Sequence, residues 1–339
     1  MITYNHERFI AQAVESVLMQ QTNFPYELII GEDCSTDNTR EMVREYQRRH
    51  PDKIRLLLPE RNLGGPIPGK RNYVQTLNAA TGKYIALLEG DDYWTSPHKL
   101  QKQVDFLDSH PSCAVCFTNA VSIFDKSDRQ PEPFCPPHQK PVFTLDDILA
   151  SNPMLAATVL FRRGLFGELP PWFHHVMTGD WALHILNTQH GDAGYLPEST
   201  AAYRVHAGGV WSMKSVAWSL GETIKMLKLA DQHLGFKHHA AVQAGIANCQ
   251  ADLCLHLYHD AMRAQHAGDL RAARRITRRI LAHQPHGQPT AARHHAAPHL
   301  NRRHLIKKSL WYGAPGVLNA ASRLKRKLVS LVAMKGERS

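Results

Sequence analysis

Leu87-Leu-Glu-Gly-Asp-Asp-Tyr-Trp94 sets three carboxylates, Glu89, Asp91 and Asp92, directly behind an apolar run, Tyr84-Ile-Ala-Leu-Leu88. The run reads as a buried strand, and the acids fall where it ends. Carboxylates crowded in this way repel one another, which favours a cation among them; a solvated acidic turn is the alternative. Mg²⁺ or Mn²⁺ suits such a place, because a hard divalent ion takes one or two protein carboxylates and fills its remaining positions with water and substrate phosphates. The choice between cation and bare turn depends on the rest of the chain.

Upstream, strand and helix signals alternate. Met1-Ile-Thr-Tyr-Asn5 has the character of the end of a strand, and an amphipathic helix follows from Phe9 to Gln20, with Phe9, Ala13, Val14, Val17 and Leu18 on one face. Tyr26 to Gly31 is an apolar strand closed by Glu32-Asp-Cys-Ser-Thr-Asp-Asn-Thr39, a turn and helix cap for a helix ending near His50. Ile54 to Leu58 predicts a strand, Asn62 to Gly69 a flexible loop, and Lys70 to Ala80 a helix that Thr81-Gly82 breaks. This alternation implies an α/β domain with a mostly parallel sheet and helices on both faces, binding ligands at the carboxyl ends of its strands. Asp33 and Asp91 both fall at such ends.

Downstream, Pro97 to His110 reads as a helix, Ala114 to Phe124 as a strand, and the Pro-rich stretch from Gln130 to Pro141 as a mobile loop or lid. Thr144 to Ala150 is a short helix and Ala157 to Phe161 a strand. Pro170-Pro-Trp-Phe-His-His175 carries aromatics of exposed type into a helix that begins beside Asp180, where a carboxylate is favoured by the helix N-terminus. Gly194 to Leu196 and Ala201 to His206 are expected to be two closing strands.

The net charge of +10 hides a division, since residues 1–214 carry 20 Lys+Arg against 24 Asp+Glu and residues 215–339 carry 20 against 6. A domain boundary is expected there: an α/β domain over 1–214 and a basic, mostly helical region over 215–339. In the latter, Ala251 to Arg263 and Leu270 to Ala282 suggest a helical hairpin. The basic clusters Arg302 to Lys308 and Arg323 to Lys327 lie beside Leu310, Trp311, Leu324 and Leu328, a pattern that suits either an anionic membrane surface or a solvated helix face. No nucleic-acid reading module is recognisable in it. The six cysteines have no disulfide-framework spacing, and no apolar run approaches the ~20 residues of a membrane-spanning helix. A cytoplasmic protein, with peripheral attachment to the inner face of the membrane as an option, is the resulting expectation. Cys113-x-x-Cys116 has no second pair to complete a zinc site and reads as packing.

Six blocks now stand in order: Ile2-Thr-Tyr-Asn-His-Glu-Arg-Phe-Ile10, Glu32-Asp-Cys-Ser-Thr-Asp-Asn-Thr39, Lys70-Arg-Asn72, Gly82-Lys-Tyr-Ile85, Glu89-Gly-Asp-Asp-Tyr-Trp94 and Gly179-Asp-Trp181. Together they resemble the family-2 glycosyltransferases of GT-A (Rossmann-like) fold, over residues 1 to about 214. The resemblance implies that Asp33 binds the nucleotide base, that Thr3 and Tyr4 flank the same pocket, and that Arg71, rather than its neighbour Lys70, approaches the nucleotide. The family's Asp-x-Asp metal motif is represented by Glu89-Gly90-Asp91, its first acid replaced. Asp91 is then the expected metal ligand, with Glu89 and Asp92 on the nucleotide-sugar, and His206, in Tyr203-Arg-Val-His206, joins the metal or diphosphate. Asp180 corresponds to the catalytic base, because inverting transfer needs a carboxylate to take the acceptor hydroxyl's proton while a metal neutralises the departing nucleoside diphosphate.

The expected activity is a metal-dependent (Mn²⁺ or Mg²⁺), inverting hexosyl- or N-acetylhexosaminyl-transfer from a nucleotide-sugar, a UDP-sugar above all, to a hydroxyl of a cell-surface glycan or lipid-linked acceptor. Two alternatives share the fold: a non-catalytic glycan-binding or scaffold protein, and a sugar-nucleotide nucleotidyltransferase. The latter needs a Gly-rich basic phosphate loop near the first strand, which Asn5-His-Glu-Arg8 does not supply. Relatives carry more apolar residues before the Thr-Tyr-Asn block, so the first strand is expected to be clipped here and the start of translation to lie upstream.

Overall fold

The computed structural model describes residues 1–209 and 214–283. The basic clusters at 302–308 and 323–327 lie outside the described residues. The chain divides into two compact units, one of Met1–Ser215 with Gly221–Gly245, the other of Val216–Leu220 with the residues from Ile246 on.

The first unit is built on strands. β1 (Ile2–Thr3), β2 (Leu28–Glu32) and β3 (Ile54–Leu57) pair in parallel in the order β1-β2-β3, with α1 (Ile10–Leu18) and α2 (Thr39–Arg49) as crossovers. All of β2 is buried, as expected for a strand covered on both faces. α3 (Lys70–Asn78) leads to β4 (Tyr84–Ala86), and a parallel bridge from Ile2 to Glu89 joins β1 to the acidic turn beyond β4. β5 (Tyr93–Trp94), α4 (Lys99–Ser109), β6 (Cys113–Phe124), β7 (Glu132–Pro133), β8 (Val142–Phe143), α5 (Leu145–Ala150), β9 (Val159–Arg162), α6 (Gly179–Thr188) and β10 (Asp192–Val205) follow. The second sheet runs β4-β9-β6-β10-β5. Parallel pairing therefore rules the first sheet, whereas in the second only β6 and β10 are parallel and the other pairs are antiparallel.

Two glycines set how closely elements approach. A Cβ on Gly31 would fall 2.0 Å from Thr76 Oγ1 and 2.4 Å from Asn72 Oδ1, so α3 seats on β2 only because the strand has no side chain there. Asn72 Nδ2 then donates to the Gly31 carbonyl at 2.8 Å. A Cβ on Gly90 would lie 2.5 Å from Thr3 Oγ1, and its absence lets the acidic turn close on β1.

Three expectations are corrected. The two closing strands are one, β10, whose register with β6 shifts between Leu196 and Ser199 and again between Ser199 and Ala201. Pro197 cannot donate to the ladder, yet the chain stays extended through a bulge. The segment 130–141 is not a free lid: β7 pairs with β6, and the Cys135 amide donates to Asn119 Oδ1 at 2.8 Å. Phe173, read as exposed, is fully buried within a short 3₁₀ turn, Pro171–His175.

Beyond residue 215 the described residues form α7 (Val216–His233), α8 (His239–His266) and α9 (Leu270–His283). Within the second unit, Leu253, Cys254 and Leu257 of α8 pack with Ile276 and Ile280 of α9, leaving Arg271, Arg275, Arg278 and Arg279 exposed. Among the described residues no helix is long and apolar enough to cross a membrane.

Between β2 and β4 the first unit contains an apolar cavity of ≈ 520 Å³, lined among others by Leu28, Ile29, Ile85, Leu87, Val104 and Leu160. Met1 stands at its mouth, its amine donating to the Ile29 carbonyl at 2.7 Å, and burial pushes that amine down to about 5 against the pull of Glu89. The register of Ile2 with Gly31 and with Glu89 would set residues added before Met1 opposite Ile29 and Leu28 on one side and Leu87 and Ile85 on the other. The slot has the form of a strand buried on both faces. A chain extended by about four β-branched apolar residues is expected to gain ~2 kcal/mol and melt ~5 °C higher, while a Gly-Ser extension of equal length is expected to change little. Equal melting temperatures for the two extensions in a calorimetric scan would show that the cavity does not accept a strand.

Candidate active site

The loops at the carboxyl ends of β1 and β2 are locked together before any ligand arrives. Ser35 Oγ accepts from the Asn5 amide at 2.9 Å, Thr39 Oγ1 from His6 at 2.8 Å, and Asp37 Oδ2 from Glu7 at 3.0 Å. In return, Asn5 Oδ1 accepts from the Thr36 amide at 2.8 Å and Glu7 Oε2 from Asn38 at 3.0 Å. Polar residues read as turn formers thus stitch two loops into one rim. Glu32 is buried and paired with Arg40, which also donates to the Pro59 carbonyl at 2.8 Å, so this acid is structural.

Asp33 is nearly fully buried, and its Oδ1 accepts from the Leu63 amide at 2.8 Å. Burial pushes its carboxyl up despite that hydrogen bond. Arg71 is exposed and reaches back along the same loop, its Nη1 donating to the Leu63 carbonyl at 2.9 Å. Asp33 and Arg71 therefore share the 62–65 loop, although they come from different elements. Thr3 is buried, with Oγ1 3.2 Å from His6 Nδ1, while Tyr4 is exposed at the rim.

The three acids after β4 are divided by their surroundings. Asp92 is buried; its Oδ1 accepts from the Arg204 amide at 2.8 Å, and Oδ2 has no partner among the described residues. Burial, then the charge of Asp91, drives its carboxyl well above the usual range. Glu89 is driven up in the same way, by burial and then by Asp92, Asp91 and Asp180. Asp91 goes the other way: burial opposes ionisation, but the His206 hydrogen bond and the charge of His6 hold it below the ordinary value. Its Oδ2 lies 3.0 Å from His206 Nε2 and 3.7 Å from His6 Nε2. Arg204 donates from Nε to the Asp91 carbonyl at 2.9 Å, which fixes the turn itself.

Asp180 sits at the second position of α6, half-buried, with its charge felt by Lys70 and Tyr73 of α3, by Glu89, by His184 one turn along and by Tyr203 of β10. These couplings bring Asp180 and the acidic turn to one crevice from positions far apart in the chain.

A divalent ion fits this crevice as a shared site rather than a closed one. Among the described residues no three His, Cys, Asp or Glu side chains form a cage for an ion. Asp91 and His206 nevertheless offer a carboxylate oxygen and an imidazole nitrogen 3.0 Å apart, which suits an ion whose shell is completed by water and phosphate oxygens. The Gly208 amide donates to His206 Nδ1 at 3.2 Å, so the proton sits on Nε2 toward Asp91; for Nε2 to hold an ion that proton would move to Nδ1 and the Gly208 hydrogen bond would be given up.

His6, Arg204 and Lys70 were not singled out from the sequence as site residues. His6 belongs to the first block, but nothing in the spacing relates it to an acid some eighty residues on. Burial pushes its imidazole down, with Asp91 pulling the other way.

Residues 1–165 match the model of Glycosyl transferase family 2. A Mycobacterium tuberculosis protein of uncharacterized role is 39% identical over 211 residues, 62% of this chain and 59% of its own length. The putative teichuronic acid biosynthesis glycosyltransferase TuaG of Bacillus subtilis is 33% identical over 167 residues, 49% of this chain and 62% of its own. The chain thus spans about three fifths of the length of these two relatives. The crystal structure of S. aureus TarS 1-349 in complex with UDP-GlcNAc superposes with a TM-score of 0.56 at 18% identity, over 84% of this chain and 82% of that one, a likeness of fold. With the sheet and these matches together, residues 1–165 carry the likeness to glycosyl transferase family 2, and the fold is of the GT-A type.

Proposed function

We propose that the protein is a metal-dependent, inverting glycosyltransferase that moves a sugar from a UDP-sugar to a hydroxyl of a cell-surface glycan or lipid-linked acceptor. The observation that carries this reading is the pairing, in one crevice, of an ionised acid held by two histidines, Asp91 with His206 and His6, and a separate half-buried acid at a helix start, Asp180. The donor would lie with its base at Asp33 and its diphosphate toward Asp91, with Arg71, Thr3 and Tyr4 along the rim and Glu89 and Asp92 beneath. Asp91 and His206 would hold Mn²⁺ or Mg²⁺, which when bound neutralises charge on the leaving diphosphate.

In this reaction the acceptor oxygen attacks the anomeric carbon from the face opposite the diphosphate. A new C–O bond forms as the bond to the β-phosphate oxygen breaks, and Asp180 takes the hydroxyl proton. The name of TuaG, and the UDP-GlcNAc bound in the TarS structure, favour an N-acetylhexosamine or hexose donor and a cell-wall-type acceptor. The exposed arginines of α9 favour attachment to an anionic membrane surface, on its cytoplasmic side.

The full-length protein, incubated with Mn²⁺ and a panel of UDP-sugars, is expected to release UDP with one donor above the others. Asp180→Asn is expected to lower turnover by about 10²–10⁴-fold while leaving UDP affinity within about twofold. Wild-type turnover in that variant would reject Asp180 as the base. Asp91→Ala is expected to weaken UDP binding in Mn²⁺ by about tenfold or more and to abolish the difference between Mn²⁺ and EDTA, both read by calorimetry. Unchanged Mn²⁺ dependence would remove Asp91 from the metal site.

A further inference from the structure

His6 is held in place from several sides. Its amide donates to Thr39 Oγ1 at 2.8 Å, and its carbonyl accepts from the Phe9 and Ile10 amides, both at 2.8 Å. The residue is thus pinned where the loop after β1 turns into α1. Its two ring nitrogens have different neighbours: Nδ1 lies 3.2 Å from the hydroxyl of the buried Thr3, and Nε2 lies 3.7 Å from Asp91 Oδ2. The first contact is a hydrogen bond, and the second is too long for one.

The Thr3 hydroxyl is an oxygen that accepts the Nδ1 proton. With the proton there, Nε2 presents a lone pair to a carboxylate oxygen, and a cation between them answers both. Gly90, the middle residue of Glu89-Gly90-Asp91, makes room for this pair. A Cβ on it would fall 2.5 Å from Thr3 Oγ1 and 3.0 Å from His6 Nδ1, so the bare backbone lets the Thr3–His6 hydrogen bond stand against the turn that carries Asp91.

His206 Nε2 reaches the same Asp91 oxygen at 3.0 Å, and the two imidazoles stand 6.4 Å apart at an interplanar angle of 80°. They close no cage as they stand, because His6 is held off. For bonds of ~2.1 Å at right angles, ligand atoms stand ~3 Å apart, so His6 joins the shell by a shift of less than ~1 Å. To free its Nε2, His206 has to give up the Gly208 hydrogen bond, whereas His6 keeps its own to Thr3. A far nitrogen held by an oxygen and a near one left to the ion is the usual state of a metal-binding histidine.

Resting on the reading of Asp91 as a metal ligand, we propose that His6 is a nitrogen ligand of the same ion, set in the required tautomer by Thr3, and that it turns the site toward Mn²⁺ or Co²⁺ and away from Mg²⁺. Mg²⁺ keeps to oxygen ligands and gives up water reluctantly, while imidazole suits the first-row transition ions. Ala at position 6 leaves room for a water, which Mg²⁺ accepts and which a transition ion binds less well than a nitrogen.

The test uses the full-length protein with UDP. Affinities for Mn²⁺, Co²⁺ and Mg²⁺ are read by calorimetry, and nitrogen on Mn²⁺ by the modulation of its electron spin echo. In His6→Ala the Mn²⁺ and Co²⁺ affinities are expected to fall about tenfold or more, that for Mg²⁺ to change by less than about twofold, and the nitrogen modulation to weaken. Thr3→Val keeps His6 but removes its Nδ1 partner. It is expected to lower Mn²⁺ affinity about tenfold with Mg²⁺ little changed, and it carries the test should His6→Ala fail to fold. Equal losses for all three ions would make His6 a residue that only shapes the turn. Unchanged ion preference with unchanged nitrogen modulation would leave it outside the shell, and weaker UDP binding in EDTA would make it a donor contact; each of these overturns the proposal. Wild-type Mn²⁺ affinity in Asp91→Ala would instead reject the metal reading on which it rests.

Discussion

Three carboxylates packed behind one strand cannot all be ionised in a buried place, and the arrangement of the first unit follows from how that conflict is resolved. At an effective dielectric of ~20, two unit charges 4 Å apart interact by about 4 kcal/mol, enough to move one of a close pair by several pKa units. Asp92 is turned away into the backbone of β10, where the Arg204 amide takes one oxygen. Glu89 is half-buried beside β1 and driven toward its neutral form. Asp91 alone keeps its charge, because His206 and His6 converge on it from β10 and from the loop after β1. The acid cluster in the sequence thus becomes one anion flanked by two acids that favour their protons.

That resolution requires the two sheets to meet at the turn. β1 touches β2 at Gly31 and the acidic turn at Glu89 through the same residue, Ile2, and Gly90 is bare so that Thr3 can close on it. The short central strand therefore joins the side that carries Asp33 to the side that carries Asp91. The cavity beyond Met1 lies on the opposite, amino-terminal side of that junction. On the carboxyl side the loops are stitched by their own side chains, from Asn5 to Thr39.

Much of this was legible in the sequence, and what was missed shares a cause. Strand-then-helix alternation, and acids at strand ends, are local patterns, so Asp33, Asp91 and Asp180 could be placed at the ends of elements from their neighbours alone. Pairing direction in the second sheet was not local: β9 lies between β4 and β6 antiparallel to both, which no periodicity states. The break at Pro197 looked like a strand end because proline removes a donor, but a bulge absorbs that loss. The segment 130–141 looked free because prolines deny it regular structure, while Asn119, a polar residue inside a strand, holds it from the side. Phe173 was missed because an aromatic among prolines reads as exposed, whereas it is buried with the Lys70 ammonium over its ring.

Their surroundings show why the two acids of the crevice can serve different chemistry. Asp91 is held by imidazoles, and its neighbour Arg204 fixes the backbone rather than the carboxylate. Asp180 has no such hydrogen-bonding cage among the described residues. It stands half-buried at a helix start, with the buried ammonium of Lys70 against the preceding residue, Gly179. A carboxylate bound tightly by several donors is a poor base, because each donor must be given up as the proton arrives. One without such donors keeps its oxygens free to accept it. In the proposed reaction the geometry therefore sorts the acids by how they are held: between imidazoles where an ion is to be held, and with open oxygens where a proton is to be taken.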